Sequence, residues 1–186
     1  MRIVGGRFRG RRLTVPPGRD VRPTSDRARE AVFNILAHGF EIDLDGLTLL
    51  DVFAGSGAMG LEALSRGATG VTFIDNDQAA LNCLRRNAGA AGVARQVTPL
   101  RLDATRLPPP PRITDAPCPL AFLAAPYESG LSEPALESLA AKGWITAGSL
   151  CVVELSIRER FGLPAGFEIA DDRRYGTARI LFLTRS

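Results

Sequence analysis

Residues 49–60 read Leu49-Leu50-Asp51-Val52-Phe53-Ala54-Gly55-Ser56-Gly57-Ala58-Met59-Gly60. The apolar run predicts a strand, the G-x-G-x-x-G spacing predicts a tight turn, and the residues that follow have a helical pattern. Glycines in such a turn let the backbone approach a ligand closely, and the helix N-terminus offers unpaired N–H groups to an anionic part of that ligand. Taken alone, the motif also fits a dinucleotide site.

The rest of the chain alternates short apolar runs with helical patterns, which is typical of a doubly wound α/β fold with a mostly parallel, Rossmann-like sheet. Near the C-terminus, two apolar runs flank the polar stretch Asp171–Gly176 without a helical pattern between them, so we expect an antiparallel hairpin there. Strands are predicted at Leu47–Phe53, Gly70–Ile74, Gln96–Leu102, Leu120–Leu123, Ser149–Leu155, Phe167–Ala170 and Ala178–Thr184, and helices at Ala58–Arg66, Asp77–Ala91 and Glu133–Ala141.

Residues 1–38 are interpreted as a basic extension of this single domain, which comprises residues 1–186. The first fifteen residues predict a strand, a turn and a second strand, with arginine side chains on one face of the ribbon. A helix capped by Thr24 or Ser25 should follow and continue to about Ala37. Residues 1–35 contain nine arginines and three acidic residues, a net charge of +6. This asymmetry indicates an arm that binds a polyanion, although a solvated charged face would have the same composition.

Length and composition exclude several classes of protein. The 186 residues are 45% hydrophobic and 23% charged, as expected of one globular domain and not of a fibrous or disordered chain. No apolar run is long enough to cross a bilayer, and the first residues lack the apolar segment of a signal peptide, so we expect a cytoplasmic protein without membrane contact. We also expect the protein to be a monomer. The three separated cysteines and the single histidine, His38, have no metal-ligand spacing, and we interpret the cysteines as small core residues.

Three aspartates follow three successive predicted strands, whose carboxyl ends meet at one edge of a parallel sheet. Asp51 suits the amino group of a sulfonium ligand and would oppose a pyrophosphate, Asp75 suits ribose hydroxyls, and Asp103 suits an adenine amino group. This pattern favours S-adenosylmethionine, although aspartates that cap helices would show the same spacing. The predicted cofactor site comprises Asp51, Phe53, Ala54, Gly55, Ser56, Gly57, Gly60, Asp75, Asn76, Asp103 and Ala104.

Three runs of the chain, Arg22–Leu36, Asp51–Ala68 and Arg2–Gly6, resemble the ribosomal RNA small-subunit methyltransferase D family. The resemblance extends over nearly the whole chain. It implies a class I S-adenosylmethionine-dependent methyltransferase fold and methylation of the exocyclic N2 of one guanine in 16S ribosomal RNA, either free or in a small-subunit assembly particle. It also implies that RNA phosphates are contacted by Arg7, Arg9, Arg11, Arg12 and Arg22.

One tetrapeptide departs from the family pattern. Members carry D/N-P-P-Y after the fourth strand, where this chain has Ala124-Ala125-Pro126-Tyr127. The family's Asp or Asn side chain accepts hydrogens from the guanine amine, whose lone pair is delocalised into the ring, and the tyrosine stacks on the base. Ala124 has no acceptor, although the Ala125 carbonyl and the Tyr127 ring are kept. Glu128 is either a replacement acceptor or an exposed loop carboxylate.

Three functions follow from these observations. We favour an active RNA guanine-N2 methyltransferase, because loss of one positioned polar group typically lowers a rate by about 100-fold to 1,000-fold without abolishing it. The alternatives are a non-catalytic or very slow binder of the same RNA and cofactor and, from the glycine motif alone, a nicotinamide-dependent oxidoreductase. We expect Arg173 and Arg174 either to contact RNA or to cap the C-terminal hairpin turn.

Overall fold

A computed structural model describes residues 1–16 and 25–186. Within these residues, seven strands form a single sheet in the order β3-β2-β1-β4-β5-β7-β6. The strands are β1 Thr48–Val52, β2 Gly70–Asp75, β3 Val97–Arg101, β4 Leu120–Leu123, β5 Leu150–Ser156, β6 Phe167–Tyr175 and β7 Ala178–Arg185. The helices are α1 Asp26–His38, α2 Ala58–Ser65, α3 Gln78–Ala91 and α4 Ser132–Ala141, with short 3-10 turns at Gly6–Phe8, Ala94–Gln96 and Ala104–Arg106.

The first five strands run parallel, and β7 pairs antiparallel with both β5 and β6, which confirms the predicted fold class. The register aligns the carboxyl ends: Val52 lies opposite both Ile74 and Leu123, and Asp75 lies opposite Arg101. The chain continues from β1 into β2 on one side, whereas β4 lies on the other side of β1. The loops after β1 and β4 therefore diverge at a topological switch point, where α/β sheets bind ligands.

Alternating side chains of the central strands bury apolar surface on both faces of the sheet. Phe73, Phe122 and Val152 belong to a core shared with α1, α2, α3 and the N-terminal segment. Their chain neighbours Ile74, Leu123 and Val153 belong to a second core that includes α4 and the fully buried Trp144. Since both faces are covered, the strands read as nearly continuous apolar runs.

The N-terminal segment has less strand pairing than the sequence predicts. Its two arms lie antiparallel, but the pairing is reduced to an isolated bridge between Arg2 and Arg12, and Arg7 lies in a 3-10 turn. Ile3 N still donates to the Arg11 carbonyl at 2.9 Å, but beyond Ile3 the backbone N–H groups of Val4 and Gly5 donate to the Glu62 carboxylate on α2 at 2.8 and 2.7 Å.

Glu62 is fully buried and holds the N-terminal segment to the domain. Its carboxylate also accepts from Arg66 Nε at 2.9 Å and lies 3.5 Å from Nε of the buried Arg29. The next turn of α2 adds Ser65, whose hydroxyl donates to the Gly5 carbonyl at 2.6 Å and accepts from Phe8 N at 2.9 Å. The basic segment is therefore packed against α2.

The C-terminal hairpin is antiparallel as predicted, but its polar stretch is strand rather than turn. Strand β6 continues to Tyr175, and the turn consists of Gly176 and Thr177. Residues 171–175 pair with β7 after a register shift between Ile169 and Asp171. An edge strand has solvent on one side and so accepts charged side chains, as in the ion pair of Arg179 with Asp172 at 2.8 Å.

Other predicted features are found near their expected positions. Helix α1 begins after Ser25, whose side chain accepts from Ala28 N at 3.1 Å, whereas Thr24 lies outside the described residues. All three cysteines are buried and unpaired, and burial raises the pKa of the Cys118 and Cys151 thiols to about 12. No helix in the described part of the chain is long and apolar enough to cross a membrane.

Candidate functional site

The glycine loop that follows β1 turns sharply at three residues with left-handed backbone, Phe53, Gly55 and Gly57, at φ 58°, 55° and 79°. A Cβ on Gly57 would lie 2.1 Å from Leu84 Cδ1, and one on Gly60 would lie 2.4 Å from Phe73 Cε1, so these two glycines allow α2 to pack closely. A Cβ on Gly55 would meet nothing closer than the Phe53 carbonyl at 4.0 Å. Gly55 therefore leaves its face of the loop open to a ligand.

Asp51 lies beneath this loop. Its side chain is buried and accepts from Gly60 N at 2.9 Å, which fixes the first turn of α2. The pKa of Asp51 is raised to about 7, chiefly by burial, with a smaller increase from the neighbouring Asp75 charge, while the hydrogen bond from Gly60 opposes both effects. A positive charge beside the loop would favour the ionised form, so Asp51 is suited to a cationic ligand and not to a phosphate.

Asp75 connects the glycine loop to the end of β2. Its Oδ2 accepts from Gly55 N and its Oδ1 accepts from Asp77 N, both at 2.9 Å. Carboxylate oxygens are hydrogen-bond acceptors, which suits a ligand that carries hydroxyl donors. Asn76 follows at the exposed rim, and Asp77 caps α3 through Ala79 N at 2.8 Å.

Asp103 is exposed and begins the 3-10 turn after β3. It accepts from the Thr105 hydroxyl at 2.7 Å and from Thr105 N at 2.9 Å, and these two hydrogen bonds lower its pKa. The capping interpretation thus describes its contacts in this structure. Since Leu102 N still donates to the Asp75 carbonyl at 3.3 Å, Asp103 nevertheless lies at the same sheet edge as Asp75.

Asn87 of α3 is a residue that the sequence analysis missed. Its Nδ2 donates to the carbonyls of Ser56 and Thr14, both at 2.9 Å, and its Oδ1 accepts from Thr14 N at 2.9 Å. The glycine loop is also touched by Met1, whose sulfur accepts from Ser56 Oγ at 3.5 Å. A single asparagine in a helical pattern carries no signal of this connection between the loop and the N-terminal segment.

Tyr127, the last residue of the tetrapeptide after β4, lines a cleft of about 510 Å³. Ala124 is half-buried, Ala125 is buried, and Glu128 is exposed. The Tyr127 hydroxyl donates to Oε1 of Glu154 on β5 at 2.7 Å. Glu154 was not predicted as a site residue, because one carboxylate within an apolar strand resembles an ordinary strand end. The cleft is lined by Ser25, Arg27, Tyr127, Glu154, Arg174, Tyr175, Gly176, Thr177 and Ala178.

Four of the five predicted RNA-binding arginines lie at the surface, namely Arg7, Arg9, Arg11 and Arg12. Arg7 covers the Phe8 ring, 4.6 Å from its centroid, and donates to Gln96 Oε1 at 3.2 Å. Arg11 donates to the Ala90 carbonyl. Among the residues that the structure describes, none of the four forms an ion pair, so their charge is available to a polyanion; Arg22 lies outside the described residues.

The described residues thus bring the predicted cofactor residues to one sheet edge, with Tyr127 at the adjoining cleft. In that part of the chain, no cluster of three or more His, Cys, Asp or Glu could hold a metal ion. Arg173 forms an ion pair with Asp171 at 2.9 Å, whereas Arg174 lines the cleft.

Comparisons with known proteins agree with this arrangement. The model of the family described as conserved hypothetical protein 95 matches residues 1–184. Ribosomal RNA small subunit methyltransferase D of Escherichia coli strain K12 is 39% identical over 88% of this chain and 78% of that protein. The protein of the same name from Haemophilus influenzae is 32% identical over 95% of this chain and 89% of its own length. A solved structure of a putative methyltransferase from Escherichia coli superposes with a TM-score of 0.80 at 33% identity, covering 100% of this chain and 98% of that one.

Proposed function

Because this chain belongs to the ribosomal RNA small subunit methyltransferase D family, we propose that it methylates the exocyclic N2 of a guanine in 16S ribosomal RNA with S-adenosylmethionine as methyl donor. The observation that carries the proposal is the convergence of the glycine loop, Asp75, Asp103 and the Tyr127 cleft on one edge of the sheet. A nucleoside ligand and a nucleobase can lie side by side there, at the switch point of the fold.

The residues at this edge fit S-adenosylmethionine. When bound, that group supplies a methyl carbon attached to a positively charged sulfur. The open face of Gly55 leaves room for the ligand, Asp75 and Asn76 offer oxygen acceptors at the position proposed for the ribose, and Asp103 is proposed as the acceptor for the adenine amino group. Asp51, whose pKa is raised to about 7 by burial, favours a nearby ammonium group.

The same residues disfavour a nicotinamide dinucleotide. Residues 53–57 contain no basic side chain, and two buried carboxylates, Asp51 and Asp75, lie directly behind the loop. A pyrophosphate at the start of α2 would be repelled by both carboxylates, whereas a sulfonium amino acid would be attracted. We therefore set the oxidoreductase interpretation aside.

RNA is proposed to reach the site along the basic N-terminal segment. Arg7, Arg9, Arg11 and Arg12 contribute phosphate contacts that carry little sequence information and determine orientation. Tyr127 supplies an aromatic face for the target base, and the Ala125 carbonyl remains as a hydrogen-bond acceptor. The chain thus orients the amine, and orientation alone gives large rate effects in transfer reactions.

Transfer of label from methyl-labelled S-adenosylmethionine tests the proposal, with small-subunit RNA and small-subunit particles as separate substrates. The Ala124→Asp variant, which restores the family's acceptor, is the positive control. We expect the wild-type chain to transfer label more slowly than this variant but measurably.

Ala124 also supports a second candidate function, an RNA-binding and cofactor-binding protein without turnover. That candidate predicts label in the RNA with the Ala124→Asp variant and none with the wild type. Label in neither case, with both proteins folded, contradicts both candidates.

A further inference from the structure

We propose that Glu154 recognises the Watson–Crick edge of the target guanine and supplies the acceptor that Ala124 lacks. The inference rests on the proposed function and names the residue that selects its substrate base. Glu154 lies on β5, outside the tetrapeptide and outside the glycine loop, and it lines the cleft together with Tyr127.

The strand register leads toward both Ala124 and Glu154. Strands β4 and β5 are parallel, and their last paired residues are Leu123 and Val153, so Ala124 and Glu154 are the next residues of the two chain segments. Leu123 and Val153 both point into the core on the α4 side. Since side chains alternate, Ala124 and Glu154 both face the α1 side, where the cleft lies.

The small side chain at residue 124 and the long one at residue 154 are therefore complementary. Ala124 leaves space where the family has an Asp or Asn, and the neighbouring strand presents a carboxylate to the same face. The Glu154 carboxylate is held in place, because Tyr127 donates to its Oε1 at 2.7 Å and the residue is only 7% exposed. Carboxylate oxygens are hydrogen-bond acceptors, which suits the donor groups of a base bound in the cleft.

The chemistry of this carboxylate selects guanine among the four RNA bases. Guanine presents two adjacent donors, N1–H and the N2 amino group, on its Watson–Crick edge. Adenine, cytosine and uracil each place an acceptor next to their donor on that edge, which a carboxylate would oppose. Parallel hydrogen bonds from two donors to one carboxylate combine charge assistance with geometric selectivity. The contact would also hold the N2 amine, the proposed methyl acceptor.

Other residues of the cleft suit the ring of the base and the phosphates on either side of it. Tyr127 and Tyr175 offer aromatic surface for a base, and the exposed Arg27 and Arg174 offer guanidinium groups for the flanking phosphates. Bases turned out of an RNA stack are bound by this combination of aromatic stacking and hydrogen bonds to the Watson–Crick edge.

Binding of short RNAs tests the inference independently of methyl transfer. The probes are a single-stranded RNA with one central guanosine among uridines and the same RNA with inosine, which lacks only the 2-amino group. Because a hydrogen bond to a charged group is lost, we expect the wild-type chain to bind the guanosine RNA about 10-fold or more tightly in fluorescence anisotropy. In Glu154→Gln, the ratio should fall to about 2 or less, since one acceptor becomes a donor.

Glu128→Gln is the matched control, because Glu128 is the exposed carboxylate next to Tyr127 and should leave the ratio unchanged. Tyr127→Phe, which removes the hydroxyl that holds Glu154, should reduce the ratio to an intermediate value. Thermal midpoints show whether each variant is folded. Any of three results overturns the proposal. The affinity ratio of guanosine RNA to inosine RNA could be equal in wild type and Glu154→Gln, or it could be lost in Glu128→Gln. The wild type could also bind both RNAs equally or bind neither. A wild type that discriminates guanosine from inosine without methylating RNA would support this inference and contradict the proposed function.

Discussion

Replacement of Glu62 by glutamine should destabilise the whole domain, although the two side chains have nearly the same size. The carboxylate accepts from Val4 N, Gly5 N and Arg66 Nε at 2.7–2.9 Å, and the buried Arg29 guanidinium lies 3.5 Å away. An amide has a single acceptor oxygen, so its NH₂ group must face one of these donors. The substitution also leaves Arg29 with less opposing charge in a fully buried position.

The magnitude follows from these contacts. Removing one partner of a buried ion pair typically costs about 3–5 kcal/mol, and Arg29 keeps a hydrogen bond to Asp26 at 2.8 Å, so we expect about 3 kcal/mol. For a domain of this size, each kcal/mol corresponds to about 2–4 °C in the thermal midpoint, so Glu62→Gln should unfold about 6–12 °C below the wild type.

Thermal unfolding followed by circular dichroism measures this shift. Glu30→Gln is the control, because it removes the same charge from the exposed surface of α1 and should change the free energy of unfolding by about 0.5 kcal/mol or less. A decrease of less than about 2 °C in Glu62→Gln would refute the reasoning, since the buried carboxylate would then contribute no more than an exposed one.

Three further predictions concern the site and its surroundings. Burial raises the pKa of Asp51 from 3.8 to about 7, so the contribution of Asp51 to stability is complete below about pH 4 and is lost as the pH rises toward 7. The thermal midpoint of Asp51→Asn minus that of the wild type should therefore increase between about pH 5 and pH 8. A difference that stays constant with pH would contradict the raised pKa. Replacing Arg7, Arg9, Arg11 and Arg12 together by glutamine should reduce the slope of log K for RNA binding against log salt by about 3, and an unchanged slope in anisotropy titrations would show that this face does not contact phosphates. Gly60→Ala should lower the free energy of unfolding by about 1–3 kcal/mol, because the added Cβ would lie 2.4 Å from Phe73. Gly89→Ala in α3 should raise the free energy of unfolding by about 0.5–1 kcal/mol, because nothing lies within 4 Å of the added Cβ. Denaturant unfolding that ranked the two variants in the opposite order would contradict the packing described for Gly60.

The sequence was sufficient to predict the sheet and the position of the glycine loop, because these features depend on local patterns. Buried parallel strands appear as apolar runs, and the loop needs glycine where a Cβ would collide with Leu84 or Phe73. The three aspartates could be placed at one edge, since parallel strands end together. These elements depend on periodicity and short-range spacing, which one sequence displays directly.

Features that depend on distant partners were not predictable in the same way. The backbone donors of Val4 and Gly5 bond to Glu62 on α2, 58 and 57 residues away, and not to the other arm of the N-terminal segment. The polar end of β6 forms strand because β7 supplies its hydrogen bonds. Glu154 becomes notable only when the fold brings it to the cleft and to the Tyr127 hydroxyl. In each case, tertiary contacts outweigh local preference.

The departure at Ala124 also changes how the family pattern applies to this chain. Within the tetrapeptide, the acceptor is lost while the aromatic residue is kept. In the folded chain, a carboxylate from the next strand lies at the same cleft and is bonded to that aromatic residue. The tetrapeptide and Glu154 are therefore best considered together as the proposed base-binding unit.

Isothermal titration calorimetry with S-adenosylmethionine tests the proposed cofactor site most directly. We expect the folded wild-type chain to take up one equivalent, to show no uptake of a nicotinamide dinucleotide, and to bind about 10-fold to 100-fold more weakly when Asp75 is replaced by asparagine. Well-folded wild-type protein that takes up no S-adenosylmethionine would contradict the proposed site.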